Sequence, residues 1–296
     1  MILRYLQRIF APIAIAFLAW FAWESRAELA ELVQGAMPMY LGIAIALWCL
    51  THALAPIASM LIFNAKGQSV DYRTAARIHF ENLPARYVPG GIWHTVGRVA
   101  AFGNLGIDAR NLSTFVVMEN ALAVATAFVL GGSTISVIRG LDTWGQIAAL
   151  GALVGAVIIV ALPYLLRTRL LKGETELSTR TYITVIAFAS VYWIVAAAAF
   201  VTYVFAYSSL AVQSSPLESG AAYLFSWGVG FVAVFAPQGI GVFEVVAAEL
   251  LRDTGSLTSV AALLAGFRLI ILVADALAWG IGRLLRLPPA GSETAR

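Results

Sequence analysis

Charge is scarce in this chain: 12% of its 296 residues are Asp, Glu, Lys or Arg, against 60% that are hydrophobic. That balance, with a mean hydropathy of +0.85, lies outside the range of soluble globular domains and marks an integral membrane protein. No soluble catalytic domain fits in what the apolar runs leave over. The formal charge of +3 is too small to suggest a nucleic-acid partner. Cysteine is almost missing. Cys49 stands alone in an apolar run, which excludes an intrachain disulfide and makes it a packing residue. Catalytic signatures are absent as well: there is no HExxH, no nucleophile elbow, no CxxC and no Asp-rich metal motif, so no catalytic residue, metal or cofactor is assigned. Without a Walker A sequence the chain does not bind ATP in the P-loop manner. Uphill transport would draw on an ion gradient, a partner or a downhill lipid flux.

What is present is a series of apolar runs near the length of about 20 residues that one helix needs to cross the hydrocarbon core. Six full spans are predicted, at 9–24, 38–63, 112–132, 144–166, 182–207 and 257–281. The first has the basic start and apolar core of a signal peptide but no clean cleavage site after it, so it reads as a retained helix. Lys and Arg collect in cytoplasmic segments. With the N-terminus inside, 15 of the 19 basic residues fall there: Arg4 and Arg8; Lys66, Arg73, Arg77, Arg86, Arg98 and Arg110; Arg167, Arg169, Lys172 and Arg180; and Arg283, Arg286 and Arg296. Both termini are therefore expected in the cytoplasm, on a single membrane domain, 1–296, that ends in a short polar tail at 287–296.

Two regions, 64–111 and about 219–254, do not fit as simple loops or spans. Each is broken near its middle by a similar tetrapeptide, Pro89-Gly90-Gly91-Ile92 and Pro237-Gln238-Gly239-Ile240, 148 residues apart. Proline removes a backbone donor and glycine permits a sharp reversal, so each break suits the tip of a re-entrant hairpin. Three full spans separate them. Such hairpins would enter from opposite faces, which predicts an inverted-topology repeat with halves at 38–140 and 182–285 and a site near the midplane. A helix starting after a break would aim its N-terminal amides at an anion such as phosphate. Gly90 and Gly91 are expected to have conformations or close contacts that a side chain disturbs, so Gly91→Leu should impair function more than the equivalent change at Gly151, in an ordinary span. Small residues in GALVGA and WGVG favour close helix packing.

RYVPGGIWHTVGR at 86–98, followed by FAPQGIGVFE at 235–244, resembles the lysylphosphatidylglycerol synthase transmembrane-region family, flippase-like membrane proteins of bacteria and archaea. Pro89, Gly90, Gly91, Gly97 and Arg98 match the first family motif; Pro237, Gly239, Gly241 and Glu244 match the second, in which Gln238 replaces the usual middle glycine. The resemblance implies a stand-alone module of the bacterial or archaeal plasma membrane that moves a lipid between leaflets, without the aminoacyl-transferase domain of larger members. Its implied partner is a membrane lipid, with a homo-oligomer or a partner protein also open.

The charged residues near the motifs each carry two readings. Arg86 and Arg98 either anchor the hairpin at the headgroup level by snorkelling or clamp a phosphate through the planar guanidinium fork. His94 is a packing residue or a proton carrier, and His52 and His79 carry less weight still. Asp71, Arg73, Arg77 and Glu81 form the polar face of an interfacial helix. Arg268 lies at the centre of the last span, where a charge costs at least about 2.5 kcal/mol. Its candidate partners are Glu119, Glu244 and Asp275, the last about 10 Å along the same helix face. It either neutralises a buried acid or alternates between a carboxylate and an anionic headgroup; a proton-coupled carboxylate is a further reading. Trp20, Trp23, Trp144, Tyr182, Tyr207 and Trp279 are expected as interface anchors. A lipid translocase, a membrane-embedded lipid-modifying enzyme and a non-transporting accessory subunit all remain open.

Overall fold

The computed structural model describes residues 35–87, 92–140, 142–166, 178–207, 215–233, 239, 241–251 and 257–284. The expected span at 9–24, the tail at 287–296 and the break residues Pro89, Gly90, Gly91, Pro237 and Gln238 lie outside them. The described residues are helical, with no strand among them. Five helices are long and apolar enough to cross a membrane: α1 (Pro38–Asn64), α4 (Ala109–Arg139), α5 (Thr143–Leu166), α6 (Thr179–Phe205) and the Leu263–Leu284 stretch of α9 (Leu257–Leu284). They coincide with five of the six expected spans. Between them lie four shorter helices: α2 (Tyr72–Asn82), which runs into a 3-10 turn at Leu83–Tyr87, α3 (Trp93–Gly103), α7 (Pro216–Val232) and α8 (Val242–Leu250).

The helix starts follow local chemistry. Asp71 caps α2 by accepting from the Thr74 N–H at 2.7 Å, and hydrogen bonding from Thr74 holds its carboxyl below the ordinary range. Asp108 accepts from the Arg110 and Asn111 N–H groups, and Ser178 and Ser215 cap α6 and α7. The interfacial polar face expected on α2 is present, with Arg77 paired to the exposed Glu81 one turn on.

On α1, Ala44, Trp48, Thr51, His52, Ser59, Ile62 and Phe63 are buried, recurring at spacings of three, four and seven that keep one face turned to the protein. The two ends of that stripe join different cores. Ala44 and Trp48 belong to one built with Phe200, Tyr203, Tyr223, Phe225 and Phe267. Ile62 and Phe63 belong to another with Phe102, Phe115, Met118 and Leu162. The polar residues Thr51, His52 and Ser59 lie between. Along α5, by contrast, Leu150, Leu153, Val157, Val160 and Tyr164 are exposed. An apolar face of that length is stable against lipid tails and a liability against water.

The short helices attach to opposite ends of α4. Val70 and Ile107, which bracket α2 and α3, share a core with residues near the start of α4. At its other end Arg139 donates to the Leu250 carbonyl, where α8 finishes, at 2.7 Å and lies 4.0 Å from Glu218 at the start of α7.

Close helix approach rests on the small residues anticipated there. A Cβ at Gly155 would stand 2.6 Å from the Ala125 carbonyl oxygen, and one at Gly228 2.7 Å from the Phe128 ring. Gly151 is not the innocuous position expected of it: a Cβ there would meet Phe225 at 2.6 Å. Where α4 lies between α5 and α7, one turn at Phe128–Gly132 widens to a π-helix, with Gly131 and Gly132 against the two neighbouring backbones. Two aromatic expectations are also revised. Tyr182 and Tyr207 are buried in protein, and the Tyr182 hydroxyl donates to the Ile159 carbonyl at 2.6 Å.

Gly155→Ala should therefore destabilise the detergent-solubilised protein by about 1–3 kcal/mol through overpacking. Gly42→Ala, with nothing within 4 Å of its Cβ, should be neutral or stabilising by up to about 1 kcal/mol from helix propensity. Thermal unfolding of the two variants checks the ranking.

Candidate functional site

Of the candidate residues Arg86, His94, Arg98, Glu119, Glu244, Arg268 and Asp275, all but His94 sort into three ion pairs. Arg86 in the 3-10 turn pairs with Asp275 on α9 at 3.2 Å. Arg98 on α3 pairs with Glu119 on α4 at 2.7 Å, and Arg268 on α9 with Glu244 on α8 at 2.6 Å. Of the three partners open to Arg268, the structure takes Glu244; Glu119 and Asp275 serve other arginines. Arg268 and Asp275 are seven residues apart, so α9 meets both break-bearing segments about 10 Å apart along one face. It offers a carboxylate to the first and a guanidinium to the second.

The pairs differ in access. Arg98 is 3% exposed: its NH1 reaches both Glu119 oxygens, its NH2 donates to Ser59 Oγ at 2.7 Å, and its guanidinium lies 5.0 Å from the Phe115 ring centroid. In this conformation its outer guanidinium nitrogens face protein. Arg86 and Arg268 are 27% and 33% exposed, each holding a carboxylate that is more buried than itself. Glu244 also accepts from the Gly241 N–H at 2.7 Å across the first turn of α8. Gly241 has φ +85° and Gly239 φ +67°, and a Cβ on Gly239 would lie 2.9 Å from the Gly230 backbone. Both glycines of the second motif are thus needed where they stand, by conformation and by the approach of α7.

Gly97, matched in the first motif, is needed for space, since a Cβ on it would run into the Asn82 side-chain oxygen. That contact seats α3 against α2.

Asp275 is the most elaborated group. It is 2% exposed and accepts from His52 Nε2 at 2.7 Å, Trp48 Nε1 at 3.3 Å, the Tyr87 hydroxyl at 3.0 Å and Arg86. His52 Nδ1 in turn lies 3.2 Å from His79 Nε2, and the His79 and His94 rings meet edge to face at 5.5 Å. Sequence reasoning ranked His52 and His79 below His94 and passed over Trp48 and Tyr87. One signal for His52 was available: it falls at the middle of a 27-residue apolar helix, where a polar side chain needs a partner. His52 presents its second nitrogen to another histidine. No cluster of three or more His, Cys, Asp or Glu suited to a metal occurs among the described residues.

A separate basic spot lies at the end of the bundle where α1 finishes. The Lys66 ammonium is buried without a hydrogen-bond partner, and burial, with the Arg110 charge nearby, pushes it down to about 8.

No protein-family model matches the chain, and no curated protein matches it.

Arg98→Met alone, which strands Glu119 against the protein interior, should cost about 3 kcal/mol or more of stability. The double variant Arg98→Met, Glu119→Gln should recover most of that loss, because the desolvation cost goes with the charges. Thermal melts of the two single variants and the double in detergent give the coupling energy.

Proposed function

We propose that this protein is a lipid translocase of the bacterial or archaeal plasma membrane, moving an amphiphile whose anionic headgroup contains phosphate. The observation that carries the reading is the pair of partly exposed arginines, Arg86 and Arg268, each held by a less exposed carboxylate on a neighbouring element. A guanidinium that is parked on a carboxylate and reachable from outside can exchange that partner for a phosphate, whose oxygens fit the same planar fork. Lys66 and Arg110 add positive charge at the end of the bundle, at the depth where a headgroup would first arrive.

The same reading takes the two break-bearing segments as re-entrant hairpins in an inverted repeat. Its support is that their ends gather at opposite ends of α4, one around Val70 and Ile107 and the other around Arg139. Non-helical backbone at membrane depth then lies inside protein, where its polar groups find partners. The resemblance of the two motifs to the lysylphosphatidylglycerol synthase transmembrane-region family points the same way. Energy for transport would come from an ion gradient, a partner or lipid flux.

Arg268→Met with Glu244→Gln should fold with near-native stability in detergent yet fail to move lipid, because the headgroup ligand is lost along with the scaffold pair. The assay is dithionite accessibility of fluorescent phosphatidylglycerol in phosphatidylcholine vesicles, with chromatography of the recovered lipid. Full movement in the stable double variant removes Arg268 from the site, and chemical turnover of the headgroup replaces the translocase with an enzyme. Topology has its own check: on a Cys49→Ser background, cysteines at Ser69 and Ser215 should label from opposite faces, the first from the cytoplasm. Labelling from one side ends the inverted repeat.

A further inference from the structure

The nitrogens of the histidines beside Asp275 are ordered in one direction. If Asp275 is ionised, its bond to His52 requires the proton on His52 Nε2. Neutral His52 then presents a bare Nδ1, which accepts from His79 Nε2–H at 3.2 Å. Neutral His79 is left with a bare Nδ1. That nitrogen is buried and has no hydrogen-bond partner, and the nearby His94 has a buried, unpartnered Nε2. A polar atom buried without a partner is costly as a structural element, and two of them at the open end of a hydrogen-bonded chain call for a role.

We propose that His79 and His52 are a proton relay that delivers one proton to Asp275 and thereby releases Arg86. The step balances as follows. A proton arrives at His79 Nδ1, the Nε2 proton of His79 passes to His52 Nδ1, and the Nε2 proton of His52 passes to Asp275 Oδ1. Both histidines end neutral in the opposite tautomer, and the carboxylate ends as a carboxylic acid. One proton has entered, and no charge remains on either ring.

Electrostatics favour a proton in transit over a proton at rest on a histidine. Facing the relay are Cys49 and His52 of α1, Arg86 and Tyr87 of the turn, His94 and Arg98 of α3, Glu119 of α4, Tyr192 of α6, Tyr223 of α7 and Asp275 of α9. The two arginines repel an imidazolium, so a proton that enters does not rest on either ring. Once Asp275 is neutral, Arg86 loses the carboxylate charge 3.2 Å from it, which favours another anion taking that place. Proton and anionic headgroup therefore bind together, each raising the affinity for the other by the same factor. This coupling rests on the translocase reading; the relay itself does not.

The test separates the two. His79→Gln keeps an N–H that can donate to His52 Nδ1 but cannot pass a proton through, so a purely structural role survives the change. Infrared difference spectroscopy of the purified full chain after rapid acidification follows the carboxylic acid band of Asp275, identified by its loss in Asp275→Asn. The band should form in the unaltered protein and form about 10²-fold more slowly in His79→Gln, the size of effect expected of a positioned proton-transfer group. An Asp275 that stays ionised from mildly acidic to alkaline pH, or that protonates equally fast in His79→Gln, overturns the relay. In phosphatidylcholine vesicles holding fluorescent phosphatidylglycerol, an imposed pH gradient should speed label movement by the unaltered protein and leave His79→Gln unaffected. A protein that protonates Asp275 through His79 and moves no label upholds the relay and removes the lipid reading; one that moves label at a rate blind to the gradient overturns the coupling.

Discussion

A single buried carboxylate ties the molecule together. Asp275 accepts four hydrogen bonds from two other parts of the chain: Trp48 and His52 of α1, and Arg86 and Tyr87 of the turn before the first break. An ionised carboxylate out of water is tolerable only with partners of this number and charge. Its requirement therefore fixes where the last helix sits against the first described one, and against the turn at Leu83–Tyr87. Its four donors leave few alternatives for register between these elements. Removing any one of them exposes the same charge to a poorer environment.

Around that point the structure divides into layers. Two apolar cores occupy the ends of the bundle, and between them the buried polar groups of α1 meet Arg98, Glu119, His79 and Asp275. Apolar packing inside a membrane protein gains little from the hydrophobic effect against lipid, so close contact and satisfied polar groups must hold the helices together. The glycine contacts of α4 with α5 and α7 supply the first. The ion pairs supply the second. Arg86 and Arg268 stay partly open, whereas Arg98 is enclosed.

The individual charges were legible from sequence because the apolar setting makes each one conspicuous. Arg268, Asp275, Glu119 and Glu244 stand out in or beside spans that carry few others, and Arg86 and Arg98 flank a helix break. Their pairing was not legible. Arg268 had three candidate carboxylates with nothing local to choose among them; only the approach of α8 brings Glu244 to 2.6 Å. His52 and His79 were undervalued for the same reason. His52 stands in an apolar helix, but its partner is 27 residues away in sequence until α2 folds back along α1. Gly151 was misjudged because its neighbour Phe225 comes from a distant helix.

The sequence by itself determined the all-helical character, five of the spans to within a few residues and the short roster of charges in or beside them. These follow from local quantities, hydropathy over about 20 residues and the cost of a lone charge in hydrocarbon. Tertiary structure alone decided which charge meets which, which arginine stays reachable, and that three histidines from three helices converge beside one carboxylate. Those are distances between residues far apart in the chain. They are set by how helices cross and how closely glycines let them pack, and no local pattern encodes that.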